Sequence, residues 1–393
     1  MYKKRTSESD SFKKKSSCLY VFVVLILSLS LLAQVQITEI NEDKPLKGEW
    51  DFRMVKLWEI EEISGDVFAR IGRILSDDQE TLYVVDPKRY KVFIIDKDGK
   101  LISAFGKKGE GPGEMRQIGR CYLVDDQLAF PDRRANRIHY FSKQGTYLKS
   151  VIIPDDLSPR VMIDKHRLIS VPWINWRDPK GKATGFIYNL KDKSKKQLFE
   201  FSTFKKGMVR KTSGSSSFSF SFSSSDITPI MVLGYSNNKI YYGINNVYEI
   251  TVKDIRDLEK ALVFSLERKK TKVPAGYKDE LLEHIDWPEN IKKEIKRGFP
   301  DYFTYFESIF SDDHENIYVY VTDPLKENRR KLDIFSPGGK YIYRAEIVVE
   351  EGEEIRGTHW KKDKLYMGIE TEEGELKLVK YRIRLPEKGE GER

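Results

Sequence analysis

The side chains in this 393-residue chain that could do chemistry are scattered rather than grouped. Of its five histidines, His166 and His314 fall in the turn contexts "DKH" and "DDH". His139 sits in an apparent strand, His284 in a helical stretch and His359 beside Trp360. No pair has metal-ligand spacing, so the sequence offers no metal site of the zinc type. The acidic pairs Asp77-Asp78, Asp125-Asp126 and Asp312-Asp313 recur at equivalent positions. Calcium suits such turns in principle, but the solubility of a hairpin turn accounts for them more simply. No nucleophile elbow is present, and no cofactor is identified. Paired carboxylates for glycoside hydrolysis can lie far apart in a chain and stay open as a reading. The basic pair Arg133-Arg134 reads as solvated.

Two stretches invite a functional reading. "VPWINWRDPKG" (171–181) places Trp173, Trp176 and Arg177 in one long loop. These side chains stack on a sugar ring or anchor a partner protein, unless the two indoles are packed inside the fold. "FGKKGEGPGEM" (105–115) carries four glycines, as phosphate cradles do. It lacks the Lys-Ser/Thr of a P-loop and the third glycine of the dinucleotide fingerprint. It also leads into the strand-like "RQIGRCYLVDD" and not into a helix N-terminus that could hold an anion.

The elements that must position these residues are short and repeat. "SDDQETLYVVDPKRYKVFIIDKDGKLISAFG" (76–106) alternates strands with turns, and "VDDQLAFPDRRANRIHYFSKQGTYLKSVII" (124–153) repeats the pattern. "FIIDKDGKLI" and "HYFSKQGTYL" align without gaps, each with a glycine where a hairpin needs positive φ. Weaker copies bring the count to about six four-stranded units, which is a β-propeller in sequence form. "EWDFRMVKLWEIEEI" (49–63) precedes the first unit and is placed to give a strand to the last. A β-sandwich with a second domain is the rival architecture, and blade-length periodicity argues against it.

Two interruptions stretch the spacing. "KTSGSSSFSFSFSSSD" (211–226) is low in complexity, with Phe218, Phe220 and Phe222 at period two, and reads as a flexible or edge-strand insertion packed on its own blade. In 273–303 the apolar spacing predicts two short helices. Pro288 opens the second helix, and Gly298 and Pro300 stop it.

With these units in place, the Gly-rich stretch reads as a connection between blades. It resembles the G-x-x-G-x-G-P-G connection of NHL-repeat propellers, and more closely that of exported six-bladed propeller proteins of bacteria. The matching positions are Phe105, Gly106, Gly109, Gly111, Pro112, Gly113 and Glu114, with Met115 where an aromatic residue is usual. "DRRANRIHYF" (132–141) and the "VDP" at Asp86 fit the same pattern. The resemblance implies an all-β, six-bladed propeller with a short helical insertion (274–300). It implies little about function, because propellers host many activities.

The chain termini and charge complete the reading. Residues 1–33 join a basic start to the apolar run 19–33, as a signal peptide or N-terminal membrane anchor does. Residues 34–48 read as a linker, 49–386 as the propeller and 387–393 as a polar tail. Cys18 precedes the apolar run, so after cleavage Cys121 stands alone and no internal disulfide is available. The net charge of +8 falls to about +4 without the six basic and two acidic residues at the start. No basic stripe with aromatic interleaving remains, which argues against nucleic acid. The expected protein is exported, periplasmic or at the cell surface, and touches a membrane only through an uncleaved N-terminal segment. It is read as a non-catalytic module for an unknown protein, peptide or glycan. A hydrolase, lyase or lactonase with a channel site is the alternative.

Overall fold

The computed structural model describes residues 35–63, 66–171, 182–202, 207–213, 216–222, 224, 226–324 and 328–387. Its strands form six antiparallel blades of four strands each, in which strands consecutive in sequence pair, except for the outermost strand of blade 6. Blade 1 runs from Ile74–Ser76 to Leu101–Phe105, blade 2 from Tyr122–Val124 to Tyr147–Ile152, and blade 3 from Pro159–Met162 to Lys195–Ser202. Blade 4 spans Met231–Ser236 to Asp257–Glu267, and blade 5 Phe306–Ser311 to Tyr341–Val348. The first strands of neighbouring blades touch (2 with 3, 4 with 5, 6 with 1), so they are the innermost strands of the ring.

A twisted sheet with two apolar faces cannot be stable alone, and the burial pattern shows how the ring resolves this. Leu82–Asp86 is buried along its whole length. Its odd and even residues enter different clusters: Leu82 and Val84 pack with Tyr366 and Leu378 of blade 6, while Tyr83 and Val85 pack with Leu128 and Phe130 of blade 2. The same division recurs round the ring, giving six clusters at six inter-blade seams. Cys121 belongs to the seam between blades 1 and 2, fully buried, and burial pushes its thiol up and away from reactivity.

Blade 6 is made from both ends of the chain. Glu354–Lys361, Lys364–Glu370 and Leu376–Arg382 supply three strands, and Val55–Ile60 supplies the outermost, antiparallel to Leu376–Arg382. The preceding segment continues along the perimeter. Val35–Glu42, within the stretch read as a linker, adds a fifth strand parallel to Asp257–Glu267 of blade 4. Glu49–Trp50 does the same for blade 5. Residues 35–60 therefore form a belt over the outer edges of blades 4, 5 and 6.

Polar side chains pin the belt and the seam beneath it. Asn41 donates to the carbonyls of Ser265 and Gly339 and accepts from the Tyr341 N–H. Asp43 accepts from Arg268 and Arg344. Beneath them the fully buried Asp333 takes the hydroxyls of Tyr248 and Tyr341, each at 2.6 Å, and the Arg268 guanidinium at 2.7 and 3.0 Å. Replacing Asp333 with Ala would strip the Arg268 guanidinium of its buried counter-charge, leaving it only Asp43, and remove the acceptor of both hydroxyls. That substitution is expected to cost about 3–5 kcal/mol in chemical denaturation, far more than any exposed carboxylate of the blades.

The seam between blades 6 and 1 is latched near the channel. His359 Nε2 lies 3.0 Å from both the N–H and the hydroxyl of Ser76. The N–H contact requires the nitrogen to accept, so the ring is neutral there. Burial, with Arg73 and Lys361 nearby, lowers its pKa from 6.5 to about 3. Protonation then favours the unfolded chain. The stabilisation is complete above about pH 6.5 and is lost as the pH falls towards 3, at up to about 1.4 kcal/mol per pH unit. Denaturation midpoints measured between pH 7 and 4 should fall, and His359→Gln, which keeps an acceptor without a proton site, should flatten part of that fall.

Candidate functional site

Strands alternate in direction, so each blade sends two kinds of connection to opposite ends of the channel. One face carries the tight turns between first and second, and third and fourth, strands. There the acidic pairs do structural work: Asp77 accepts the N–H groups of Gln79 and Thr81, and Asp312 those of His314 and Asn316. The other face carries the links between second and third strands and from one blade to the next. All long insertions belong to it, and it is called the insertion face below.

The Gly-rich stretch is one of these inter-blade links, and its amides are already occupied. Glu114 folds back so that its carboxylate accepts the N–H groups of Glu110 and Gly111 at 3.1 Å each and pairs with Lys107 at 2.7 Å. A Cβ on Gly109 would lie 2.0 Å from that carboxylate, which is why glycine is needed there. Gly106 has φ 103° and no room for a Cβ beside the Tyr90 carbonyl. The loop thus holds an anion, but its own, and it delivers Met115 fully buried into the seam between blades 1 and 2. Gly111, Pro112 and Gly113 complete the turn.

A second device anchors the same face. At the end of the second strand of blade 1, Asp86 accepts four N–H groups: Ala69 and Arg70 on one oxygen, Lys88 and Arg89 on the other. Asp132 repeats this in blade 2 with Arg116, Gln117, Arg134 and Ala135. Burial opposes ionisation of Asp132, yet the His139 ring and these amides more than compensate and hold its carboxyl below the usual range. His139 also meets Ser150 at 2.8 Å. Ser150, His139 and Asp132 are the residue types of a hydrolytic triad. However, His139 Nε2 is 3.7 Å from Asp132, whose oxygens are committed to backbone, so the set is structural.

With the connections fixed, the residues at the starts of the first strands come together around the channel mouth. Between blades 2 and 3, Arg120, Arg133 and Arg160 share a cleft of about 260 Å³. Arg120 Nη1 lies 3.3 Å from the Pro159 carbonyl, and Tyr122 donates to the Arg160 carbonyl. Burial and the two neighbouring guanidinium groups bring Arg160 down to about 10. Arg133, exposed as its sequence reading expects, borders the same cleft, and partial burial and Arg120 lower its pKa.

Carboxylates gather at the same face beside blades 5 and 6. Glu307 opens the first strand of blade 5, in a cleft of about 250 Å³ that also holds Asp226, Tyr277, Asp323, Arg330 and Glu354. Tyr277 donates to Asp226, Lys331 pairs with Asp323 at 2.8 Å, and Arg330 donates to the Ile355 carbonyl at 2.5 Å. Glu307 is reached by water but walled in by protein, as channel side chains are. This burial, with Asp226 and Asp323 adding to it against Arg330, raises its pKa. A raised carboxyl destabilises the fold once it ionises. Glu307→Gln should therefore raise the melting temperature at pH 7.5, and the difference should vanish by pH 4.

The insertions build up the rim. Helices α1 (Tyr277–Glu283) and α2 (Glu289–Arg297) lie where the apolar spacing places them, with Pro288 and Gly298 as the caps of α2. Leu282, Ile291, Ile295 and Phe299 form a satellite core with Ile227, Val273 and Phe303. The phenylalanine-rich stretch differs from its sequence reading: Ser216–Phe222 pairs with Gly207–Ser213 as a separate hairpin that touches α2. Trp173, Trp176 and Arg177 lie outside the described residues. Ser170 and Lys182, which flank that stretch, end strands at the insertion face. Among the described residues, no three His, Cys, Asp or Glu side chains come together to hold a metal, and no helix is long and apolar enough to cross a membrane.

Residues 32–281 match the sequence profile of DUF5128, described as a 6-bladed beta-propeller. The chain belongs to this family of six-bladed β-propellers. Two solved structures share the fold. One is a member of the duf4221 family from Bacteroides vulgatus, 9% identical, with a TM-score of 0.55 over 86% of this chain and 99% of that one. The other is an exported protein of Bacteroides fragilis, 13% identical, with a TM-score of 0.52 over 89% and 100%. A streptogramin B lyase is also similar, at 10% identity and a TM-score of 0.43 over 85% of this chain and 98% of that one, which is too distant to bear on chemistry. No curated protein matches the sequence. For this DUF5128 propeller the family fixes the architecture, and function has to be read from the insertion face.

Proposed function

We propose that this propeller is an exported, non-catalytic binding module that takes its ligand or partner at the insertion face. The observation that carries the reading is the arrangement of charge around the channel mouth. The arginines of blades 2 and 3 and the carboxylates of blades 5 and 6 stand in separate clefts, each engaged with backbone or with partners of its own. A ring of separate polar clefts under a built-up rim suits recognition of a surface or a multi-point ligand better than bond-making at one centre. Export is supported by the basic and apolar start of the sequence, and by the exported Bacteroides fragilis protein that shares the fold.

The proposal keeps Trp173, Trp176 and Arg177 as binding residues, with a glycan, peptide or protein as the class of partner. A thermal-shift screen against glycans, peptides and divalent metals tests it, because a ligand specific for the folded state raises the melting temperature. The hit is expected to lose at least tenfold in affinity with Trp173→Ala or Trp176→Ala while the unliganded melting temperature holds. A screen without hits, or a hit indifferent to these residues, would count against the assignment.

One observation favours the alternative of a propeller hydrolase, lyase or lactonase. Glu307, with its raised pKa, stands close to Asp226 and Asp323, as a general acid with companion carboxylates would. Turnover of a screened ligand that is abolished by Glu307→Gln would establish the enzyme and overturn the binding-only reading.

A further inference from the structure

The belt strand Val35–Glu42 is apolar where the ring asks nothing of it. It pairs with Asp257–Glu267 through its backbone, and Asn41 fixes its end against Ser265, Gly339 and Tyr341. The side chains before Asn41 bury little: Gln36, Ile37, Thr38 and Ile40 are exposed, and Glu39 is half-buried. Ile37 is 64% exposed, Ile40 66% and, just beyond the strand, Leu46 67%. Among the described residues only Ile152 of blade 2, at 73%, is a more exposed large apolar side chain. The strand pairs without a bulge, so Ile37 takes the side of Leu262 and Ile40 that of Ser265, on opposite faces. A folded partner resting on one face would leave the other bare. A fluid apolar medium reaches both.

The second observation is where this strand begins in the sequence. The apolar run 19–33, which lies outside the described residues, is followed by Gln34 alone before pairing starts at Val35. From Ala33 to Ile37 the chain can reach at most about 14 Å fully extended, less than half the thickness of a bilayer's hydrocarbon core. Whenever the run sits in a bilayer, as a leader during export or as a retained anchor, the edge of blade 4 is held at the membrane surface. We propose that this edge, through Ile37 and Ile40 with Leu46 nearby, rests in the headgroup zone of a phospholipid bilayer. Gln36, Thr38 and Glu39 are interspersed with the isoleucines and keep the contact shallow. The inference rests on the reading of the protein as exported. It goes beyond the binding reading, because the contact lies on the perimeter of the ring and not on the insertion face.

The test uses the full chain as the cell exports it, with whichever N-terminus it carries, in a Cys18→Ser background. Cys121 is fully buried and stays unlabelled. Single cysteines introduced as Ile37→Cys, Ile40→Cys and Leu46→Cys carry an environment-sensitive fluorophore. Ile152→Cys is the equally bare apolar control, and Lys269→Cys the control at the insertion face. The protein is mixed with, or reconstituted into, vesicles of phosphatidylcholine with a minority of phosphatidylglycerol. At Ile37 and Ile40 a blue shift is expected, with lipid-borne nitroxide quenching about threefold above either control and weaker quenching by iodide. Labels as wet as the controls overturn the inference. Shielding from iodide without quenching by lipid also overturns it, because residues 1–34 or a second copy then cover the edge. Equal lipid quenching at Ile152 overturns it too, since the adsorption would have no preferred edge. As a check free of labels at the isoleucines, Ile37→Ser combined with Ile40→Ser should leave the melting temperature unchanged and cut lipid quenching at Leu46→Cys about threefold. Undiminished quenching there counts against the inference. A ligand at the insertion face is untouched by any of these outcomes, so failure here leaves the proposed function standing.

Discussion

Everything in this molecule depends on closing the ring. A blade has two apolar faces and can bury them only between two neighbours, so a ring left open exposes two faces at once. The chain closes it by giving blade 6 strands from both of its ends, Val55–Ile60 beside Leu376–Arg382. The seam so formed holds Ile74, Leu82 and Phe93 against Tyr366 and Leu378. It is the one seam whose blades do not follow each other in sequence, and it carries extra polar fastening in His359 and Ser76. In a protein with no disulfide to staple it, hydrogen-bonded closure and packing carry the whole load.

Closure also makes the candidate sites. Arg120, Arg160 and Glu307 start the first strands of blades 2, 3 and 5, and the ring turns these starts towards a common mouth. The buried Asp86 and Asp132 hold the links that lead into the first strands of blades 1 and 2. The two clefts differ in chemistry because different side chains line them. A propeller changes its specificity in this way without disturbing its seams.

Much of the architecture was legible from the chain because each strand and turn has local causes. "LYVVD" and "KVFII" are apolar on both faces, the hairpin glycines demand positive φ, and the spacing of Leu282, Ile291 and Ile295 fits only a helix. The strand role of Val55–Ile60 followed from its place before the first complete blade. Val35–Glu42 was missed because its pairing is with residues more than two hundred positions away, and nothing local marks a parallel edge strand. The arginine cleft was invisible for a related reason. Arg120, Arg133 and Arg160 sit far apart in sequence, the first two in loops and the third in a strand, and only the seam between blades 2 and 3 brings them together. Burial, which shifts Arg160, Glu307 and His359, is likewise a property of the ring and not of any segment.

The perimeter belt has a consequence for the order of assembly. Residues 35–60 are synthesised before any blade, yet their partners lie between Lys260 and Arg382. Blades 1 to 3 form from contacts close in sequence, while Val55–Ile60 has to wait for the last-made strand, Leu376–Arg382. Such long-range pairing is slow, and it leaves the edges of blades 4 and 5 open until late. Completion of the fold therefore reports on the integrity of both termini together. A chain truncated before blade 6 would have an unclosed ring and would leave Val55–Ile60 without its partner strand.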